Sequence, residues 1–148
     1  MSTADWQQNI LGDGDESRIK ELLVNSRTIA VVGMKNVTYK ASYYVPKYLL
    51  DHGYQIIPVN PGLSEIEGLK CYRDLRSIPQ SVDIVEVFRR SENVLPHAQE
   101  ALEIKPKAFW MQSGIVNMEA AELLARAGVL VLMDRCMYVD HMAFLGKM

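Results

Sequence analysis

Five short, almost wholly apolar runs alternate along the chain with longer segments in which apolar residues recur every three or four positions. Continuous apolar runs are typical of parallel strands covered on both faces, and the longer spacing is typical of helices. The five runs are residues 28–33, 54–59, 83–88, 108–111 and 129–133. We therefore predict five parallel strands joined by right-handed helical crossovers.

Capping residues mark where two of the predicted helices begin and end. Ser42 predicts the N-cap of the helix that follows the first strand, and Gly53 predicts its end. Asn117 and Gly128 predict the same two positions for the helix before the fifth strand.

The alternation of strands and helices predicts an α/β fold with a Rossmann-like, doubly wound parallel sheet. We expect five strands in the order 3-2-1-4-5 between two helical layers, a three-layer α/β/α arrangement. Residues 1–14 lack the alternation of strands and helices, so we predict a flexible lead-in there. We predict that residues 15–148 form a single domain. The ligand crevice of such a sheet is expected at the carboxyl ends of strands one and four, where the winding reverses.

Composition and charge narrow the class of protein. With 49% hydrophobic and 23% charged residues, the chain has ordinary globular usage, and its net charge of −2 argues against bulk binding to nucleic acid or an anionic membrane. The sequence contains no transmembrane-length apolar stretch and no signal-peptide pattern. Cys71 and Cys136 are too few for a disulfide framework, so we expect a cytoplasmic protein with reduced thiols.

The loop after the first strand carries a candidate phosphate site. Gly33 lets a ligand approach the backbone, Met34 follows it, and Lys35 and Lys40 supply positive charge. The helix begun by Ser42 would point free N–H groups at the phosphate. The alternative is a tight turn at Gly33 with solvated lysines.

The second and third strands end in further candidate residues. Asn60 and Pro61 form a stiff polar turn suited to holding a hydroxyl or amide, or a plain turn. Phe88 offers a ring to cover an adenine, and Arg89 and Arg90 offer charge to a phosphate. The alternative is that both arginines are exposed at a helix start.

A thiol follows the fifth strand. Cys136 is adjacent to Arg135 and five residues before His141, and cations near a thiol can make it reactive. The sequence identifies no oxyanion donors and no third orienting residue, so we assign no catalytic residue. A thiol that meets a ligand thiol and an inert half-buried cysteine both remain open.

Several common sites are disfavoured. After Gly33 the next glycine is Gly53, so the G-x-G-x-x-G fingerprint of dinucleotide sites is absent, and Asn60 stands where an NAD site would carry an acid. The sequence has no Walker A motif and no serine-hydrolase elbow. The three histidines show no metal-ligand spacing, so we expect no metal site.

Short motifs follow one another in a distinctive order: Val31-Val-Gly33, Pro58-Val-Asn-Pro61, Val87-Phe-Arg-Arg90, Trp110-Met-Gln-Ser-Gly-Ile115 and Met133-Asp-Arg-Cys136. In this order they resemble the small stand-alone CoA-binding proteins, which are similar to the CoA-binding N-terminal domain of the succinyl-CoA synthetase α subunit. The resemblance covers about residues 15–146. It implies that coenzyme A binds at the carboxyl edge of the sheet. The synthetase's chemistry uses a second domain that does not correspond to any part of this sequence.

Under that resemblance, three groups of residues share the ligand. The first loop and Ser42 hold phosphates, and Asn60, Pro61, Phe88 and Arg89 shape the adenosine or pantetheine side. Gln112, Gly114 and Cys136 line the opposite wall.

The chain departs from the family at three places. Lys35 replaces a frequent serine, Lys40-Ala41 replaces Arg-Pro, and Tyr138 replaces a lysine near Cys136. An ion pair from Lys35 keeps phosphate binding plausible, whereas Tyr138 weakens the case for a thiolate.

Four functional hypotheses remain. The first is a non-catalytic CoA or acyl-CoA binding protein, a carrier or sensor with a possible protein partner. The second is a CoA-linked enzyme or redox protein that uses Cys136. The others are an NAD(P)-binding protein and an interaction domain with a vestigial site.

Overall fold

The computed structural model describes residues 5–146, and its centre is a six-stranded parallel sheet. All five predicted strands are confirmed, each within one residue at either end. The sheet strands are Ile10–Leu11 (β1), Thr28–Val32 (β2), Gln55–Val59 (β3), Ile84–Val87 (β6), Ala108–Met111 (β7) and Leu130–Leu132 (β8). Glu65–Ile66 (β4) and Leu69–Lys70 (β5) form a separate antiparallel hairpin.

Helices cover both faces of the sheet, which confirms the three-layer α/β/α prediction. They are Glu16–Val24 (α1), Ala41–Asp51 (α2), Leu95–Ile104 (α3), Met118–Arg126 (α4) and Met137–Leu145 (α5). The apolar sides of α1, α2 and α5 pack on one face, and those of α3 and α4 pack on the other. Within residues 5–146, no helix has the length and apolar character needed to cross a membrane.

The predicted strand order was wrong. The strands lie in the order β1-β8-β7-β6-β2-β3, so the five predicted strands are arranged 2-1-3-4-5. β6 pairs directly with β2, with Val31 opposite Glu86. Pro58 explains why β3 lies at the edge, because a proline has no N–H to donate and is disfavoured in a central strand. The predicted order would have placed that strand between two neighbours.

The lead-in prediction also needs correction. Residues 5–9 form a 3-10 helix, and β1 pairs with Val131 and Leu132 of β8. Asn9 Nδ2 donates to the Ala125 carbonyl at 2.8 Å, which attaches this segment to α4. A two-residue strand leaves no periodic signal, which is why the sequence did not predict it. Residues 1–4 of the lead-in and residues 147–148 of the predicted domain lie outside the described residues.

The start of α2 differs from the prediction as well. Lys40, not Ser42, is the N-cap, and Ser42 lies buried in the first turn. Pro46 cannot donate to the Ser42 carbonyl one turn earlier, and the Lys35 N–H donates to that carbonyl instead, at 3.2 Å. Because Pro46 leaves the Ser42 carbonyl without its helical donor, the bond from Lys35 can hold the loop against α2. The other three predicted caps are confirmed: Gly53 and Gly128 follow helix ends with positive φ, and Asn117 Oδ1 accepts from Ala120 N–H at 2.9 Å.

Candidate functional site

The strand order places a crevice between two neighbouring strand ends. From β2 the chain passes to α2 on one face, and from the adjacent β6 it passes to α3 on the other. Loops that diverge in this way open a ligand crevice at the carboxyl edge. The crevice lies at the ends of the first and third predicted strands, which corrects the prediction of strands one and four.

Gly33 lies at the base of this crevice. Its φ is +84°, and a β-carbon at this position would overlap the carbonyl oxygen of Phe88. Its N–H donates to the Val59 carbonyl at 2.9 Å, so three neighbouring strand ends meet here. The glycine is therefore required by backbone packing, whatever ligand approaches it.

Asn60 joins two of the loops. Its Nδ2 donates to the Met34 carbonyl at 2.9 Å, and its Oδ1 accepts from the Gly62 N–H at 2.8 Å. The side chain of Met34 is completely buried in the core, so that only its backbone can face a ligand. Pro61, beside Asn60, is exposed. Asn60 thus shapes the crevice wall by bridging backbones.

Positive charge gathers at the start of α2. Lys40 caps the helix without a side-chain hydrogen bond to its first turn. The Tyr43 and Tyr44 amides donate to the Lys40 carbonyl at 2.9 and 3.0 Å, and the Ala41 and Ser42 amides have no acceptor among the described residues. Lys35 and Lys40 are exposed, and neither forms an ion pair within the described residues. Ser42 is 9% exposed within the same turn. An uncapped helix N-terminus next to two unpaired lysines is an arrangement that binds anions.

A third cation approaches from β6. Phe88 and Arg89 are half-buried, and Arg90 is exposed. Arg89 Nε is buried and has no hydrogen-bond partner among residues 5–146. It lies 3.6 Å from the position of a β-carbon on Gly33. A buried donor without an acceptor is costly, and an anion in the crevice would supply that acceptor.

The opposite wall contains the remaining predicted residues. Gln112 is 3% exposed, and its Oε1 accepts from the Met137 N–H at 2.9 Å, which fixes the first turn of α5. Gly114 is exposed, has φ +83°, and donates its N–H to Asp134 Oδ1 at 2.6 Å. Gln112 therefore holds the start of α5 in place, and Gly114 has open space where a side chain would be.

Cys136 is the half-buried N-cap of α5. The neighbouring Arg135 does not pair with the Cys136 thiol. The Arg135 guanidinium pairs instead with both oxygens of Asp140, at 2.8 and 3.0 Å, and with Asp13 at 3.1 Å. His141 Nδ1 is likewise committed, at 2.8 Å, to the Tyr48 hydroxyl. Both groups expected to activate the thiol are engaged elsewhere.

The sequence analysis missed Glu86. This residue is completely buried in the middle of β6, flanked in the sheet by Val31 and Trp110. Neither carboxyl oxygen has a hydrogen-bond partner within the described residues, and burial raises the pKa of Glu86 to about 8. The available signal was one acid inside an otherwise apolar run.

The fold defines an α/β Rossmann-like protein whose switch point carries the cations Lys35, Lys40 and Arg89, unpaired within the described residues. The CoA-binding domain family matches this chain over residues 27–142. The chain belongs to that family, and the resemblance seen in its motifs is confirmed.

Two relatives match most of the chain. The uncharacterized protein YneT of Bacillus subtilis (strain 168) is 44% identical over 85% of this chain and 93% of its own length. The solved structure of a hypothetical protein from Pyrococcus horikoshii OT3 has a TM-score of 0.88 and 32% identity, covering 93% of this chain and 95% of the other.

A third relative matches only in part. The α subunit of the ADP-forming acetate–CoA ligase II of Pyrococcus furiosus is 39% identical over 61 residues, which are 40% of this chain and 13% of that subunit. The chain therefore corresponds to a small part of the ligase subunit.

Proposed function

We propose that this protein binds coenzyme A or an acyl-CoA at the carboxyl edge of its sheet and does not transform it. The observation that carries the proposal is that Lys35 and Lys40 lie in the loop and N-cap before α2, while the unpartnered Arg89 Nε lies 3.6 Å from the β-carbon position of Gly33, where that loop begins. None of the three forms an ion pair within residues 5–146, and coenzyme A is rich in phosphate. Membership of the CoA-binding family supports the choice of ligand.

The rest of the ligand would lie along the crevice. Phe88 is half-buried and Pro61 is exposed, and both offer apolar surface to the adenine or pantetheine. Gly114 and Cys136 would line the opposite wall, with Gln112 holding α5 in place. The Cys136 thiol would then face the ligand without a base to activate it.

A binding role without chemistry is supported by the contacts around Cys136. Arg135 is held by Asp140 and Asp13, and His141 is held by Tyr48. A thiol nucleophile needs a neighbouring base or cation, and neither Arg135 nor His141 forms a hydrogen bond with the Cys136 thiol among the described residues. We propose a carrier or sensor that works in the cytoplasm, where Cys71 and Cys136 remain free thiols.

Isothermal titration of the reduced protein with CoA tests the proposal, with NAD and ATP as competitors. We expect saturable one-to-one binding of CoA, at least about tenfold tighter than that of NAD or ATP and weaker as salt rises. Lys40→Glu should weaken CoA binding by about tenfold or more. Lys20→Glu, the same charge change on the exposed surface of α1, is the matched control and should bind as wild type does. Equal affinity in the two variants would contradict the phosphate assignment.

A further inference from the structure

A second cavity lies at the other edge of the sheet. It has a volume of about 380 Å³ and is bounded by the carboxyl ends of α1, α2 and α5. Its polar lining comes from Ser26, Arg27, His52, Tyr54 and His141. Among residues 5–146, every ionisable side chain that lines the cavity apart from the tyrosine is basic, and no carboxylate lines it.

Tyr48 orients both imidazole rings of this cavity. Its carbonyl accepts from His52 Nδ1 at 2.7 Å, and its hydroxyl pairs with His141 Nδ1 at 2.8 Å. The ring centroids of the two histidines are 5.4 Å apart. Because each Nδ1 is engaged, the nitrogen of each ring that remains for a ligand is Nε2. A carbonyl only accepts, so His52 Nδ1 carries a proton and His52 Nε2 becomes a donor once the ring is charged.

The wall of the cavity contains a buried hydroxyl, that of Ser26, without a hydrogen-bond partner among the described residues. The residue is 5% exposed, and its hydroxyl is buried without a hydrogen bond to any described residue. The Arg27 guanidinium forms no ion pair with the described residues either. Buried polar groups are nearly always satisfied, so the Ser26 hydroxyl lacks a partner that the described residues do not supply, and the unpaired cations beside it favour an anionic one.

Helix carboxyl ends ordinarily repel an anion, but at α1 and α2 several of the last carbonyls already accept hydrogen bonds. The Tyr54 hydroxyl donates to the Leu23 carbonyl of α1 at 2.7 Å, and His52 donates to the Tyr48 carbonyl of α2. The Leu49 carbonyl accepts from the backbone N–H groups of both His52 and Tyr54. These carbonyls are therefore engaged by donors of the protein itself.

We propose that this amino-edge cavity binds a small oxyanion, either the carboxylate of an organic acid or a phosphate group. Arg27 and the two imidazoles supply the charge, and Ser26 supplies a neutral donor. The site is separate from the CoA crevice and does not depend on it.

Binding favours the protonated form of the His141 imidazole. Burial and the nearby His52 lower the pKa of His141, so the empty cavity disfavours two charged rings, and an anion between them reverses that preference. Three acids near the cavity are already engaged: Asp51 with Lys47 at 2.7 Å, Asp140 with Arg135 at 2.8 Å, and Asp83 with the Arg27 and Thr28 amides at 2.7 and 3.1 Å. Glu16 and Glu21 of α1 do not line the cavity. Burial raises the pKa of Tyr48 and of Tyr54, which keeps both phenols neutral.

The three histidines of the chain make NMR a direct test. Their ring carbon–proton signals are followed while acetate or inorganic phosphate is added, with sodium chloride at equal ionic strength as the control. We expect the His52 and His141 signals to shift saturably, with a dissociation constant at least about tenfold smaller near pH 5.5 than near pH 8. A preference for acetate or for phosphate identifies the kind of oxyanion.

Two variants and an internal reference sharpen the result. Ser26→Ala and Arg27→Gln should each weaken binding several-fold, and Ser26→Ala should fold normally because its hydroxyl makes no bond. His97 lies outside the cavity. Burial lowers its pKa and the Arg89 charge lowers it further, so its signal reports on the carboxyl edge. A shift of His97 alone, a response matched by chloride, or saturation by zinc chloride without any response to acetate or phosphate would each overturn the proposal.

Discussion

The carbonyl oxygen of Phe88 fills the space that a β-carbon on Gly33 would need. This contact joins the ends of β2 and β6, the two strands between which the winding of the sheet reverses. The backbone of the first loop can therefore lie against the third predicted strand only if residue 33 has no side chain. The geometry of the crevice depends on this contact.

Gly33→Ala should destabilise the protein and weaken CoA binding. A left-handed non-glycine residue costs about 1–2 kcal/mol, and here the overlap with Phe88 adds to that cost. Gly128→Ala is the matched control, since Gly128 also has a positive φ (+88°) but open space around its β-carbon position. Urea denaturation should show a clearly larger loss for Gly33→Ala. Equal losses would mean that the loop moves aside at little cost.

Asn60→Leu should lower CoA affinity without unfolding the protein. The substitution removes both the donor to the Met34 carbonyl and the acceptor for the Gly62 N–H, so two loops at the crevice lose their connection. Asn60→Asp keeps the acceptor but loses the donor and adds a negative charge next to the Met34 carbonyl and the proposed phosphate site. Titration with CoA should therefore show weaker binding than wild type in both variants. Wild-type affinity in Asn60→Leu would show that these bonds do not shape the site.

The sequence predicted the elements better than it predicted their arrangement. Strand 108–111 was correct at both ends because a fully buried strand leaves a continuous apolar run. The order of the strands was wrong because the runs at 54–59 and 83–88 look equally central, and only Pro58 distinguished the edge strand.

The candidate site shows the same limit. Lys35, Lys40 and Arg89 were predicted from their positions after strands, and they lie at the carboxyl edge. The sequence could not show that the side chains of Asn60 and Gln112 form hydrogen bonds with backbone groups. Nor could it show that His52 and His141 both form hydrogen bonds with Tyr48. Those pairings join residues distant in sequence and depend on how the helices pack.

Gln112→Ala should affect stability and ligand binding together. The Met137 N–H loses its acceptor at the start of α5, a loss of about 1 kcal/mol. Asn117→Ala removes a comparable cap from α4 and should cost a similar amount. Thermal unfolding should show both losses, whereas only Gln112→Ala should weaken CoA binding, because α5 begins at the proposed crevice wall. A parallel loss of affinity in Asn117→Ala would show that general destabilisation causes the effect.

Glu86 should make stability fall as the solution becomes alkaline. Its folded-state pKa is about 8, against an ordinary value of 4.5, so the folded protein keeps a proton that the unfolded chain releases between those values. The stability of the fold is therefore greatest at the acid end of this range. The free energy of unfolding declines by up to about 1.4 kcal/mol per pH unit toward pH 8, and Glu86 causes no further change above pH 8.

Urea denaturation of wild type, Glu86→Gln and the exposed-site control Glu119→Gln across this pH range measures the slope. Glu86→Gln should flatten the decline and Glu119→Gln should preserve it. The same decline in all three proteins would mean that Glu86 is already ionised in the folded state, with water or a rearranged neighbour in contact with its carboxylate.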